Sequence, residues 1–144
     1  MEAGETVARK LMSMKRCIDY LRGKQNVTVG QLKDNYELRS AIERNFQVAI
    51  EAALDIAEVI ISEEGFEKPE DYRGAILTLG REGVLPARFA RRFAPAASFR
   101  NLLVHAYADV DVERLHGYLV KELKDFDEFA RHVGEYLRGR KATR

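Results

Sequence analysis

From Val112 to Leu137 the apolar residues recur at steps of three and four without a gap: Val112, Leu115, Leu119, Leu123, Phe126, Ala130, Val133 and Leu137. A strand alternates its side chains between two faces, so this series makes one continuous stripe only on a helix. The same stepping in Val7, Leu11, Met14, Ile18 and Leu21 predicts a first helix ending near Gly23. Lys24 to Gly30, with β-branched residues among turn formers, reads as a loop. A long second helix is expected from Asp34 or Asn35, with Phe46, Ile50, Leu54, Ala57 and Ile61 inward, stopping before Gly65. Pro69 fits the first turn of the next helix, which carries Tyr72, Ile76 and Leu79 and ends around Gly80 or Gly83. Pro86 and Pro95 each favour the start of a short helix, and Asp111 is a ready N-cap for the last one. No alternating strand pattern competes. The expectation is an all-α antiparallel bundle of four to five helices, a single domain over residues 1–144, with Arg138 to Arg144 a frayed basic tail.

Composition agrees with that class. In 144 residues, 46% hydrophobic and 33% charged content suits a soluble globular chain able to bury a core. A net charge of +1 does not announce a nucleic-acid binder, but the distribution is uneven. Five arginines (Arg81, Arg88, Arg91, Arg92, Arg100) face one acid, Glu82, between positions 81 and 100. Such a run is ordinarily a solvated face, and here it ends at Arg100, the first residue of a motif that gathers an amide, an imidazole and a phenol. The single cysteine, Cys17, excludes an intramolecular disulfide and reads as a small core residue. The tract from Val48 to Ile61 is interrupted by Glu51, Asp55 and Glu58, so it is no membrane span, and the start lacks a basic leader region. A cytoplasmic protein without a membrane partner is expected.

The motif is Arg100-Asn101-Leu102-Leu103-Val104-His105-Ala106-Tyr107. Three contiguous aliphatics embed it in a core, so its polar groups must find partners or open into a cleft. A guanidinium holds a phosphate as a planar fork, and an imidazole titrates near neutrality and moves protons. Together they suffice to cleave a phosphodiester without metal. Five residues apart, the two side chains diverge by about 140° on an ideal helix. Either His105 turns back from a loop after Val104, or the site is composite across a two-fold axis, or both hold. Asn101 can donate to a phosphate oxygen or fix the imidazole. Asp109 could orient His105, though helix capping serves it equally well.

This run resembles the Arg-x4-His-x-Tyr signature of HepT-like toxins, members of the HEPN superfamily of small all-helical ribonucleases. The stretch from Arg39 through Glu43, Arg44 and Gln47 to Glu51 is similar to the corresponding family helix, and the resemblance covers essentially the full chain. It implies a homodimer acting as a metal-independent endoribonuclease, without cofactor, as the toxin of a type II-like toxin–antitoxin pair. It also implies a cognate minimal nucleotidyltransferase (MNT-type) antitoxin that silences the toxin by adenylylating the signature tyrosine, here Tyr107. Arg100 and His105 would then be catalytic, with Asn101 and Tyr107 in support.

Other residues divide between bland and functional readings. Arg88, Arg91 and Arg92 are candidate RNA-backbone contacts or a solvated face. Glu43 pairs with a neighbouring arginine on the helix surface or faces the groove and orients an arginine. His116 and His132, among charged neighbours, read as surface residues, and no Cys/His cluster suggests a metal. A competing reading is a non-catalytic HEPN module that binds a nucleotide or supports a nucleotidyltransferase partner, with Arg100 only a phosphate anchor.

Overall fold

Residues 2–105 and 111–142 are described in the computed structural model, and every regular element among them is an α-helix. In chain order these are α1 (Glu2–Arg22), α2 (Val29–Asp34), α3 (Tyr36–Glu64), α4 (Tyr72–Arg81), α5 (Ala87–Phe93), α6 (Ala96–His105), α7 (Val112–Lys121) and α8 (Leu123–Ala142). None is long and apolar enough to cross a membrane. The expected four to five helices thus become eight among the described residues, for identifiable reasons.

The stretch expected to be a loop, Lys24 to Gly30, runs into α2, which begins at Val29. Thr28 and Gln31 form a reciprocal capping box, each side chain bonding the other's backbone N–H at 3.1 and 2.9 Å, which satisfies two donors that a helix start leaves orphaned. Leu32, fully buried, anchors this single turn and a half. The last apolar run is also divided. Glu122 closes α7 through its N–H to the Tyr118 carbonyl, and α8 starts afresh at Leu123. Steps of three and four continue through the break, which is why periodicity conceals it. Redirection lets α7 pack on α2 while α8 packs on α1. Helix α8 is described through Ala142. Pro69 lies before the N-cap of α4, not in its first turn, because Asp71 accepts the Gly74 N–H at 2.7 Å and sets the start two residues later.

Helix α3 is the axis of the bundle, packed by α1, α4 and α6. Asn35 caps its start and Gly65, at φ 71°, closes its end in the left-handed conformation glycine tolerates. Lys10 pairs with Asp55 at 2.9 Å, while Cys17, two turns further along α1, has Arg44 as a charged neighbour; α1 and α3 are therefore antiparallel. Burial raises the Cys17 thiol pKa against the opposing pull of Arg16 and Arg44, as befits a core residue.

Two aromatic clusters lock the remaining helices. Phe99 of α6 stacks on Tyr118 of α7 with centroids 4.1 Å apart, and Phe46 of α3 meets both edge-on. Burial of the Tyr118 phenol drives its pKa far above the ordinary range, so it stays protonated within the core. Phe89 and Phe93 of α5 pack with Phe126, Phe129 and His132 of α8. Each buried ring contributes about 1.5–3 kcal/mol, and the first cluster holds α6 in place at the residue preceding Arg100.

Candidate active site

Helix α6 owes its rotation to Ala96, Ala97 and Phe99, all buried. With that face committed to the core, Arg100 is left at the boundary, its side chain 19% exposed, and Asn101 and His105 point outward. His105 is the last residue of α6 and sits four after Asn101, on the same face. Arg100, Asn101 and His105 of one chain all line one open cavity of about 940 Å3. Its other walls are the end of α3 at Glu58, Ile61 and Ser62, the connector from Phe66 to Asp71, and the first turn of α4. The angular divergence of Arg100 and His105 is therefore spanned by the width of the cavity, with His105 still helical rather than folded back from a loop.

The arginine is held from two sides. Its Nε donates to Glu51 Oε2 at 3.0 Å, and Nη2 lies 3.0 Å from the same oxygen. Nη1 donates to Asn101 Oδ1 at 3.1 Å. The ring of Tyr72 lies beneath the guanidinium, 5.4 Å from its carbon to the ring centroid. These contacts with described residues engage one N–H on each of the three nitrogens, leaving one N–H on each terminal nitrogen for an incoming oxyanion. Glu51 is a third exposed and Arg100 a fifth, so the pair is only partly desolvated: it aims the fork without burying its charge.

Glu51, not Glu43, is thus the carboxylate that orients Arg100. Glu43 does not line the cavity. A signal existed in the sequence: Glu43, Gln47 and Glu51 step by four along α3, and Gln47 donates to Glu51 Oε2 at 3.4 Å. Tyr72 shares a face with buried Ile76, as expected, but at the first turn that face overhangs the cavity, leaving the tyrosine 38% exposed.

Three acids (Glu58, Glu70, Asp71) and three bases (Lys68, Arg73, Arg100) line the cavity, so an anion there is selected by the Arg100 fork rather than by a uniformly basic wall. Arg88, Arg91 and Arg92, on α5, do not line it. Arg92 is committed to Asp125, at 3.3 Å, and to Glu128, and its guanidinium covers Phe89; its role within this chain is to tie α5 to α8. Arg88 and Arg91 are exposed. The two further histidines are half-buried and bonded rather than on the surface: His116 Nε2 to the Val27 carbonyl at 2.9 Å, His132 Nε2 to Glu128 at 3.1 Å. Tyr107 and Asp109 lie outside the described residues.

Comparison with known proteins places the chain in a family. The pattern of the family Ribonuclease HepT-like matches residues 13–133. The chain is 27% identical over 131 residues to the tRNA nuclease HepT of Aphanizomenon flos-aquae (strain 2012/KM1/D3), covering 91% of this chain and 89% of that one. It is 22% identical over 125 residues to the mRNA nuclease HepT of Shewanella oneidensis, covering 87% and 93%. Among solved structures, the tri-AMPylated Shewanella oneidensis HEPN toxin in complex with MNT antitoxin superposes with a TM-score of 0.81 at 22% identity, over 90% of this chain and 97% of that one. With the match spanning all but the ends of the bundle and enclosing the motif of α6, the chain belongs to the HepT-like ribonuclease family.

Proposed function

We propose that the chain is the toxin of a toxin–antitoxin pair, cleaving RNA without metal at the cavity where Arg100, Asn101 and His105 meet. The observation that carries this reading is the preset guanidinium: aimed by Glu51 and Asn101, it keeps donors free beside an exposed imidazole. RNA supplies its own nucleophile, the 2′-hydroxyl, so the protein need only position, shift protons and stabilise charge. His105 acts as general base on that hydroxyl or general acid on the departing 5′-oxygen. Arg100 stabilises the pentacoordinate phosphorane, and the products are a 2′,3′-cyclic phosphate and a 5′-hydroxyl. A single imidazole cannot fill both proton-transfer roles at once. The second falls to water or to the same histidine of a partner protomer in a homodimer.

Silencing follows from the same electrostatics. The similar Shewanella toxin is AMPylated in complex with its MNT antitoxin. In this chain Tyr107, seven residues after Arg100, is the proposed acceptor for a cognate nucleotidyltransferase. An AMP group there would place a bulky anion near the arginine that must take the substrate phosphate, blocking it by charge and by volume. Co-expression with the nucleotidyltransferase should add AMP mass that Tyr107→Phe abolishes.

The deciding experiment incubates purified protein with RNA and EDTA. The parent cuts; Arg100→Ala and His105→Ala keep the parent's fold and lose cleavage by at least about a hundredfold, the usual scale for removing a positioned acid–base or charge-stabilising group. Cleavage by His105→Ala at the parental rate would refute the chemistry.

A further inference from the structure

We propose that Tyr72 is a stacking platform for the nucleobase flanking the scissile phosphate, and so a residue that sets where this enzyme engages RNA. The inference rests on the nuclease reading of the cavity. Tyr72 opens α4, and that turn is immobilised from both ends. Asp71 caps it, while Ala75, Ile76 and Leu79 are fully buried and fix the rotation of the helix. The side chain one turn before Ile76 is therefore carried over the mouth of the cavity, where it lines the wall together with Arg100, Asn101 and His105. The ring is held 38% exposed at this fixed position, so part of its surface is open to a molecule in the cavity.

Its contact with Arg100 accounts for one face only. The guanidinium carbon is 5.4 Å from the ring centroid, and an aromatic ring has two faces. The arrangement joins the two recognition elements a nucleotide needs: a fork for the phosphate and, beside it, a flat surface for the base. Base–aromatic stacking tolerates any base, because each has a π-face, and single-strand binders use it alongside arginine in this way. The substrate implied is an unpaired nucleotide, since a base within a duplex offers no free face.

The test is a cycle that alters the enzyme and the RNA together. After the cleaved bond of a single-stranded oligonucleotide is mapped in EDTA, the same oligonucleotide is made with an abasic ribose on either side of that bond. Tyr72→Ala should lower kcat/KM about tenfold on intact RNA, mostly through KM. On the RNA lacking the stacked base the loss should be several-fold smaller, limited to the support the ring gives Arg100, while Tyr72→Phe should match the parent on both. Tyr72→Leu, which keeps apolar volume without a π-face, carries the same test if the alanine variant folds poorly. Equal losses on intact and abasic RNA would overturn the proposal and reduce Tyr72 to a rest for Arg100. Failure of the parent protein to cut intact RNA would instead overturn the nuclease reading beneath it, so the two failures are distinguishable.

Discussion

At the scale of single residues, the site turns on how one guanidinium is held. A flexible arginine left to itself samples many rotamers, and ordering it costs free energy at the moment of binding. In this chain Glu51 and Asn101 take its Nε and Nη1, and Tyr72 supports its plane before any substrate arrives. Removing Glu51 should therefore harm catalysis without unfolding the helix. Glu51→Ala is expected to lower kcat/KM for RNA about tenfold, equivalent to about 1.4 kcal/mol. Glu51→Gln should recover part of that, because the amide oxygen can still accept from Nε. Steady-state kinetics on a fixed oligonucleotide, alongside thermal midpoints, checks both. An unchanged kcat/KM in Glu51→Ala would mean that Arg100 is aimed by Asn101 and Tyr72 alone.

At the scale of elements, close approach decides what small residues are for. Helices α4 and α5 pack so tightly at Gly80 that an added Cβ would lie 2.5 Å from Ala90 Cβ. In an isolated helix Gly→Ala is favourable by about 1 kcal/mol. Here the overlap, with typical overpacking costs of about 1–3 kcal/mol, should win. Gly80→Ala is predicted to destabilise by about 1 kcal/mol and lower Tm by roughly 2–4 °C. Calorimetry reads this directly, and an increase in Tm would show that α5 can shift outward freely. Helix α2 makes a complementary case, since its start depends on the capping box. Thr28→Ala should cost about 1 kcal/mol in urea unfolding, with RNA cleavage retained because α2 is remote from the cavity.

At the scale of the whole molecule, α5 and α8 are joined by a charged clasp in which Arg92 meets Asp125 and Glu128, and Glu128 meets His132. The hydrogen bond with His132, then the charge of Arg92, hold the Glu128 carboxyl below the ordinary glutamate range. A lowered carboxylate pKa stabilises the fold above the unfolded value, about 4.3, and that contribution fades as pH falls through the lowered folded value. Glu128→Gln should thus be less stable than the parent by about a few tenths of a kcal/mol at pH 7, a partly exposed pair being worth little. The difference should shrink as unfolding is repeated toward pH 3. Assembly gives a second prediction at this scale. Arg100 and His105 line one cavity of the same chain. Mixed dimers of Arg100→Ala with His105→Ala should therefore stay as inactive as either parent variant, and recovered RNA cleavage would place the working pair across two protomers.

The sequence alone determined the helical class, the end of α1, the bounds of α3, the helix starts after Pro86 and Pro95, and the residues of the α6 motif. Each of these rests on local chemistry: stepping by three and four, caps, proline, and side-chain type within a few positions. Tertiary structure decided the rest. The break at Glu122 was invisible because the apolar stepping runs unchanged through it, and only packing on α2 and α1 requires the redirection. Glu51 stands 49 positions from Arg100, and Tyr72 reaches the cavity because a buried Ile76 fixes the turn behind it. Which carboxylate meets which guanidinium depends on how helices cross in space, a relation that no spacing along one chain encodes.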